Sequence, residues 1–460
     1  MAEPIFTISG LRGVVGENLF AETVRNMAGC YGRFLGPGRF AIGRDSRQSG
    51  AELAVAARAG FFESGCEVID LGICPTPTVV HYVRSQKVNG GIVITASHNP
   101  VDWNGIKFVH PEGRFILPDE FERLKAAVKD SSWLQVTGSQ FQKLRTKNYE
   151  PRTNKSVETK DGIKGHIRAI RDNRFFKNVD AKGLRIGVDA VNGAASLAAL
   201  EALRAFGCEV TPVFCQPDKA NDGFPRRPEP NPENLSELCK LVQKEKLDAG
   251  FAFDPDGDRF SCVDEKGVPL GEEASLCLAC LYILPQAQGD VVVNLSTSRA
   301  VEDVCARFGA KVIRTKVGEV FVIEKMLETG AVLGGEGNGG VIVPEINLTR
   351  DGLIAAAIVL GMMAKMGKRL SEIRSDLPQY FICKSVVAAT EFNSDKLIAE
   401  LRREGGDFAV DLTEGIRLVG DSWWVHIRKS NTEPIIRIVA EAKGKEAAQA
   451  LVNRVRIFIK

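Results

Sequence analysis

The sequence predicts an α/β protein built from three similar α/β domains with mixed sheets, followed by a smaller C-terminal α+β domain. Three observations carry this. First, one local pattern recurs three times: a helix-like apolar stretch with Phe near its end, then Gly, two residues, Val and an extended run. It reads AGFFESGCEVIDLG around Gly65, LRAFGCEVTPVF around Gly207 and CARFGAKVIRTKVG around Gly309. Second, 460 residues exceed one ordinary core at roughly 100–200 residues per domain. Third, after about residue 380 the pattern changes to short extended runs between two helix-like segments.

Each repeat matches a helix stopped by a left-handed Gly and followed at once by a buried strand. Upstream lie candidate first strands at 40–43, 185–189 and 291–295, each followed by polar or small residues, which completes three βαβ units. The expected domains are 1–150, 151–260, 261–375 and 376–460. Their boundaries fall at the polar stretch 145–158, the acidic-to-basic loop after Asp258 and the stretch 371–379. The last domain reads as a strand, a helix over 395–403, strands around Ile416, Val425 and Ile436, and a final helix from Lys445.

Composition excludes several classes. With 44% hydrophobic residues, 26% charged residues and a net charge of +2, the chain is ordinary globular protein with no broad field for nucleic acid or an anionic membrane. Met1-Ala2-Glu3-Pro4 shows no secretory pattern. The longest apolar run, 352–364, is shorter than the roughly 20 residues that span a bilayer and predicts a buried helix. Eleven scattered cysteines predict reduced thiols and a cytoplasmic protein. Cys277 and Cys280 form a CxxC inside the apolar stretch 276–283 without a second Cys or His pair, which predicts a buried helix and not a zinc site.

Four segments could carry chemistry. Thr95-Ala96-Ser97-His98-Asn99-Pro100 follows the strand-like 91–94 and places Ser97 at a strand's C-terminal end, where open α/β sheets bind ligands; a plain turn or helix cap is the simpler reading. It lacks the glycines of a hydrolase elbow. Asp254-Pro255-Asp256-Gly257-Asp258-Arg259 follows the strand-like 249–253. A strand end broken by Pro and Gly can aim all three aspartates inward, and carboxylates about 4 Å apart repel by roughly 4 kcal/mol per pair at an effective dielectric near 20, so a cation is expected. Oxygen-only ligands point to Mg²⁺. A calcium-binding EF-hand loop would also use Asp254, Asp256, Asp258 and Glu265, but Arg259 stands where that loop needs Gly.

Gly335-Glu336-Gly337-Asn338-Gly339-Gly340 matches the dinucleotide pattern GxGxxG, yet an extended run follows instead of a helix, which predicts a glycine-rich hairpin presenting Glu336 and Asn338 to a polar ligand such as a sugar. Gly367-Lys368 lacks the rest of a phosphate loop. Arg428-Lys429-Ser430-Asn431-Thr432-Glu433-Pro434, with Arg437 beyond, combines arginines, hydroxyls, an amide and turn N–H groups into a candidate phosphate cradle.

Taken together and in this order, the four segments resemble the active-site loops of the α-D-phosphohexomutase superfamily, and the resemblance covers essentially the whole chain. It implies four domains around a central cleft, each giving one loop. Ser97 is then the phosphoserine, and Ser97, Asp254, Asp256 and Asp258 hold Mg²⁺. Arg259 steadies the phosphoryl group. Ser9-Gly10-Leu11-Arg12-Gly13 resembles the family's N-terminal Gly-Ile-Arg-Gly segment, which makes Arg12 a phosphate contact, and Asn104-Gly105-Ile106-Lys107 is similar to the stretch carrying a candidate acid/base, Lys107. Glu336 and Asn338 hold sugar hydroxyls, while Arg428, Ser430, Asn431, Thr432 and Arg437 hold the phosphate that is not reacting.

The implied reaction interconverts the 1- and 6-phosphates of a hexose or hexosamine through a 1,6-bisphosphate, with glucose 1,6-bisphosphate or an equivalent as activator. One departure stands out: many bacterial mannose and glucose enzymes end the sugar loop with His, where this chain has Gly340. The Asn-Gly-Gly form looks more like archaeal-type phosphoglucosamine and phosphomannose mutases, so the reading leans to glucosamine phosphate, with mannose and glucose phosphates as the alternative. A sugar phosphatase and a non-enzymatic sugar-phosphate sensor are the rival classes. The expected partners are small sugar phosphates, and the expected assembly is a monomer or homodimer.

Overall fold

The threefold sequence pattern folds three times into the same four-strand arrangement. The structure, a computed structural model, describes residues 3–130, 157–388, 392–403, 407–429 and 435–459. In the first domain Glu67–Ile73, Arg39–Arg44 and Gly90–Ile94 lie parallel in that order, and Trp103–His110 pairs antiparallel with the last. The second repeats this with Glu209–Val213, Arg185–Asp189, Ala249–Phe253 and Phe260–Asp264. The third does so with Val312–Thr315, Val291–Asn294, Leu333–Glu336 and Gly340–Ile342. The first sheet is widened to eight strands by Ile5–Thr7, Gly10–Val14, Arg114–Phe115 and Glu158–Thr159.

The crossover helices Gly50–Glu63, Ala195–Ala205 and Ala300–Ala306 lead to Gly65, Gly207 and Gly309 at φ of +81°, +95° and +68°. That conformation is cheap only without a Cβ, and it turns the chain straight into the next parallel strand. In each of these three domains the turn from the third parallel strand to the antiparallel fourth leaves the sheet at the same end. These turns are residues 95–102, 254–259 and 337–339, three of the four segments singled out from the sequence.

The C-terminal domain is one antiparallel sheet in the order Phe381–Ala388, Ile435–Ala442, Trp423–Lys429, Ile416–Val419, Ala409–Asp411. Ser394–Arg403 and Lys445–Arg456 pack on it through Leu397, Val452 and Val455. The second and third domains share one apolar core, in which Phe251, Phe253 and Phe260 meet the helices Ala274–Ile283 and Gly352–Met366. Those two helices are apolar on all sides and are buried accordingly. Cys277 and Cys280 lie within the first of them, and all eleven cysteines are free thiols. Among the described residues no helix is long and apolar enough to cross a membrane.

Two boundary expectations need correction. Phe260–Asp264 pairs along its whole length with Ala249–Phe253, so a boundary at 260 would separate two strands of one sheet; the acidic loop is a hairpin turn, not a linker. Glu158–Thr159 pairs with Ile69 and Asp70 and so extends the first sheet. The boundary at 150, like residues 145–156 of the polar stretch, lies outside the described residues.

Candidate active site

Ser97 sits one turn beyond Gly90–Ile94 and is buried. Its backbone is left-handed, with φ of +51°, which costs energy for a residue with a Cβ and persists only when the surroundings impose it. Here they do. Ser97 N donates to Thr95 Oγ1 at 2.8 Å, and Thr95 Oγ1 donates to Asp45 Oδ2 at 2.6 Å. Arg47, fully buried, donates to the carbonyls of Ser97 (2.7 Å), Asn99 (2.8 Å), Trp103 (2.9 Å) and Pro100, and its Nε pairs with Asp45 Oδ2 at 2.9 Å. One guanidinium thus gathers the loop from inside.

Ser97 Oγ lies 3.5 Å from Asp254 Oδ2, a residue of the second domain. Asp254, Asp256 and Asp258 are fully buried, and one carboxylate oxygen from each falls within 4.8 Å of the others. Asp256 Oδ2 accepts from Lys107 Nζ (2.7 Å) and Thr76 Oγ1 (2.6 Å), and Asp258 Oδ2 from Lys107 Nζ (3.1 Å) and Arg350 Nη2 (2.7 Å). The other oxygens, Asp256 Oδ1 and Asp258 Oδ1, are buried without a donor. Orphaned carboxylate oxygens are costly, and an all-oxygen set of this kind suits a hard divalent cation. The triad could hold a metal ion, and Ser97 Oγ is close enough to share it.

Charge coupling divides the triad. Burial, and then Asp256 and Asp258, push the Asp254 carboxyl well above its ordinary value. Burial acts the same way on Asp256 and Asp258, but Lys107 with Thr76 holds Asp256 low, and Arg350 with Lys107 holds Asp258 low. Burial also works against the Lys107 ammonium, yet Asp256 and Asp258 outweigh it and keep its pKa above the usual lysine value. As placed, Lys107 is a proton donor.

Two arginines contact the residues beside Ser97. Arg12 Nη1 donates to Asn99 Oδ1 at 3.1 Å. Arg259 Nη1 donates to Glu229 Oε1 (2.7 Å) and Nη2 to His98 Nδ1 (2.8 Å). Arg259, then burial, then Arg12 drive the His98 pKa far down, so the ring is neutral and accepts that bond. Burial, together with Arg259 and Arg350, lowers even Arg12. Guanidinium groups crowded this way call for an anion such as phosphate between them.

The glycine-rich segment 335–340 is a hairpin, as expected: Leu333–Glu336 pairs with Gly340–Ile342, Glu336 opposite Gly340. Glu336 accepts from Asn294 Nδ2 (2.7 Å), Gly318 N (3.1 Å), Arg350 Nη1 (2.8 Å) and Asn338 Nδ2 (3.3 Å). Asn338 Oδ1 accepts from Gly340 N at 3.2 Å. Arg428 and Arg437 face each other in register on neighbouring strands, and Arg428 lies 3.5 Å from Glu414 Oε1. Glu414 Oε2 in turn accepts from Val317 N at 2.7 Å, which ties the C-terminal domain to the third. Ser430, Asn431 and Thr432 lie outside the described residues.

The structure therefore brings Ser97, the three aspartates, Lys107, Arg12 and Arg259 into one cluster. Arg350 links that cluster to Glu336. Sequence reasoning missed Asp45, Arg47, Thr76, Glu229, Asn294 and Arg350. One signal was available: Gly43-Arg44-Asp45-Ser46-Arg47 is a polar cluster leaving the end of a candidate strand. Thr76 and Arg350 reach Asp256 and Asp258 across a domain boundary, whereas Glu229 and Asn294 meet Arg259 and Glu336 within their own domains but far apart in sequence.

Comparison with known proteins follows the same order along the chain. The models of phosphoglucomutase/phosphomannomutase domains I, II, III and the C-terminal domain match residues 3–135, 164–267, 272–381 and 390–457. The chain is 36% identical to a probable phosphoglucosamine mutase of Methanopyrus kandleri, over 97% of this chain and 95% of that one. It is 35% identical to a phosphoglucomutase/phosphomannomutase of Thermococcus kodakarensis, over 97% and 96%. A crystal structure of a putative phosphomannomutase from Thermus thermophilus superposes with a TM-score of 0.82 at 26% identity, covering 99% of this chain and 98% of the other.

Proposed function

The chain belongs to the α-D-phosphohexomutase superfamily and is a phosphohexomutase, and from that premise we propose that it moves a phosphoryl group between the 1 and 6 positions of a sugar phosphate through Ser97. The observation that carries this reading is the approach of Ser97 Oγ to Asp254 Oδ2, at 3.5 Å, with buried carboxylates beside it and the guanidinium groups of Arg12 and Arg259 on the neighbouring residues Asn99 and His98. Mg²⁺ is the ion assigned to Asp254, Asp256, Asp258 and the Ser97 side chain; when bound it would offset the charge of a phosphorylated serine and of the group in transfer.

The protein's own groups divide the remaining work. Arg12 and Arg259 bind phosphoryl oxygens and orient them for in-line attack. Lys107, protonated and beside the triad, gives its proton to the leaving oxygen in one transfer and, once neutral, takes the proton of the attacking sugar hydroxyl in the other. Glu336 and Asn338 hold sugar hydroxyls, and Arg428, Ser430, Asn431, Thr432 and Arg437 hold the distal phosphate. In the forward half, phospho-Ser97 passes its phosphoryl to the free hydroxyl of the sugar monophosphate, giving a 1,6-bisphosphate. After the bisphosphate turns over, the phosphoryl at its other end returns to Ser97 and the isomeric monophosphate leaves. A sugar 1,6-bisphosphate would serve as activator by charging Ser97.

Glucosamine phosphate is the preferred substrate in this reading, supported by the Asn338-Gly339-Gly340 loop and by relatives named as probable phosphoglucosamine mutases. The relative named phosphoglucomutase/phosphomannomutase supports the alternative. Eleven free cysteines support a cytoplasmic location. The test is phosphorus NMR with Mg²⁺, a trace of glucose 1,6-bisphosphate and the 1-phosphates of glucosamine, mannose and glucose in separate tubes. Conversion to a 6-phosphate, fastest with glucosamine and abolished by Ser97→Ala, is expected. Release of free phosphate alone would replace this reading with a phosphatase.

A further inference from the structure

What fills the space beside Gly340 is the side chain of Arg350. A Cβ on Gly340 would lie 2.2 Å from Arg350 Cδ and 2.7 Å from its Cγ, far inside contact distance. Arg350 rises from the turn before the helix Gly352–Met366 and passes under Gly340. Its guanidinium then ends among three carboxylates: Nη2 on Asp258 Oδ2 at 2.7 Å, Nη1 on Glu336 Oε2 at 2.8 Å and Nε on Glu319 Oε2 at 3.2 Å. Asp258 belongs to the metal loop of the second domain and Glu336 to the sugar loop of the third. The root of the side chain is fixed as well, since Arg350 N donates to Glu319 Oε1 at 2.7 Å and Asp351 N to Val341 O at 2.9 Å.

We infer that Arg350 is a positioning residue for phosphoryl transfer and that Gly340 is the opening that admits it. The rigid fork of a guanidinium can bind two carboxylates at set angles, which a lysine ammonium cannot. Arg350 thereby sets the spacing between Asp258, beside the phosphoryl group, and Glu336, beside the sugar. A sugar hydroxyl held by the sugar loop then arrives in line with the phosphoryl on Ser97. The assignment rests on the mutase reading above. It makes Gly340 and Arg350 a single functional unit: any side chain at 340 acts by expelling the Arg350 side chain.

The experiment charges Ser97 with glucose 1,6-bisphosphate in wild type, Gly340→Ala, Arg350→Ala, Arg350→Lys and the Gly340→Ala/Arg350→Ala double variant. Intact mass then follows loss of the phosphoryl group to glucosamine 6-phosphate and, separately, to water. A misplacement of about 1 Å costs on the order of 100-fold, so transfer to the sugar should fall by about that factor in each single variant. Loss to water needs no placed sugar but still depends on Asp258, which Arg350 contacts, so it should fall about tenfold less than transfer to the sugar. The double variant should be no slower than Arg350→Ala, because the clash disappears with the side chain.

Three results would overturn the inference: Gly340→Ala as fast as wild type, single losses that multiply in the double variant, or equal decline of transfer to sugar and to water, as a merely structural role would give. Should Arg350→Ala fail to fold, Arg350→Lys decides: it retains the charge without the fork, and wild-type transfer in that variant would also overturn the inference. Failure of charged wild type to discharge into any hexose phosphate would instead overturn the mutase reading.

Discussion

Removing the guanidinium of Arg47 should unfold the first domain before it blocks chemistry. In Arg47→Met the buried Asp45 carboxylate loses its counter-ion, and the buried Ser97 carbonyl loses a donor at 2.7 Å. Breaking a buried ion pair on one side costs about 3–5 kcal/mol, and an unsatisfied buried carbonyl adds about 1–3 kcal/mol. The carbonyls of Asn99, Pro100 and Trp103 are less buried and regain water, so they add little. The sum is about 4–8 kcal/mol. At about 2.1 cal/mol/K per residue, the unit matched over residues 3–135 has an unfolding entropy of about 0.28 kcal/mol/K, and its Tm should fall by about 15–30 °C. Scanning calorimetry measures this directly. The double variant Asp45→Leu/Arg47→Met, which replaces the pair by apolar groups, should recover part of the loss. A shift below about 3 °C in Arg47→Met would refute the reasoning, since the Ser97 loop would then not depend on its buried clamp.

Glu273 Oε2 accepts from Ser298 N at 3.0 Å, and burial raises its carboxyl from 4.5 to about 8. The folded protein therefore binds more protons than the unfolded chain between those values, and stability falls as pH rises through the window. Glu273 keeps some solvent contact, which reduces the effect to about 1–2 kcal/mol; Glu273→Gln should be more stable by that amount in urea unfolding at pH 8.5 and equal near pH 4, and identical pH profiles would reject this. Chelation with EDTA should abolish sugar-phosphate interconversion, with added Mg²⁺ restoring it; turnover that survives exhaustive chelation removes the metal assignment. Thr76→Val deletes the 2.6 Å bond to Asp256 and should weaken Mn²⁺ binding about tenfold by calorimetric titration, and unchanged affinity would show that Asp256 needs no such orientation. Gly339 has φ of +90°, and a Cβ there would meet Phe260 O at 2.3 Å; Gly339→Ala should cost about 2 kcal/mol or more in urea unfolding, and wild-type stability would contradict the contact.

The sequence by itself determined the elements and the chemical types. Gly65, Gly207 and Gly309 announced three helix-to-strand turns because only a residue without Cβ takes that conformation cheaply. The runs before Thr95 and Asp254 and the glycine-rich hairpin at 335–340 marked strand ends bearing a hydroxyl, carboxylates and an acid with an amide, since polar groups after a buried strand must emerge at its end. Only the tertiary structure decided which of these meet. Asp254 reaches Ser97 across 157 residues of sequence, and Lys107 reaches Asp256 across 149. It also placed Phe260–Asp264 back in the second sheet, where backbone pairing overrides a boundary suggested by composition. Arg350 was invisible, and Arg47 showed only as part of a polar cluster at a strand end, because an arginine beside a helix start or strand end reads as solvated charge. They acquire roles only when folding buries them among groups from other segments: Arg47 meets carbonyls of its own domain about 50 residues away in sequence, and Arg350 meets Asp258 only where two domains pack.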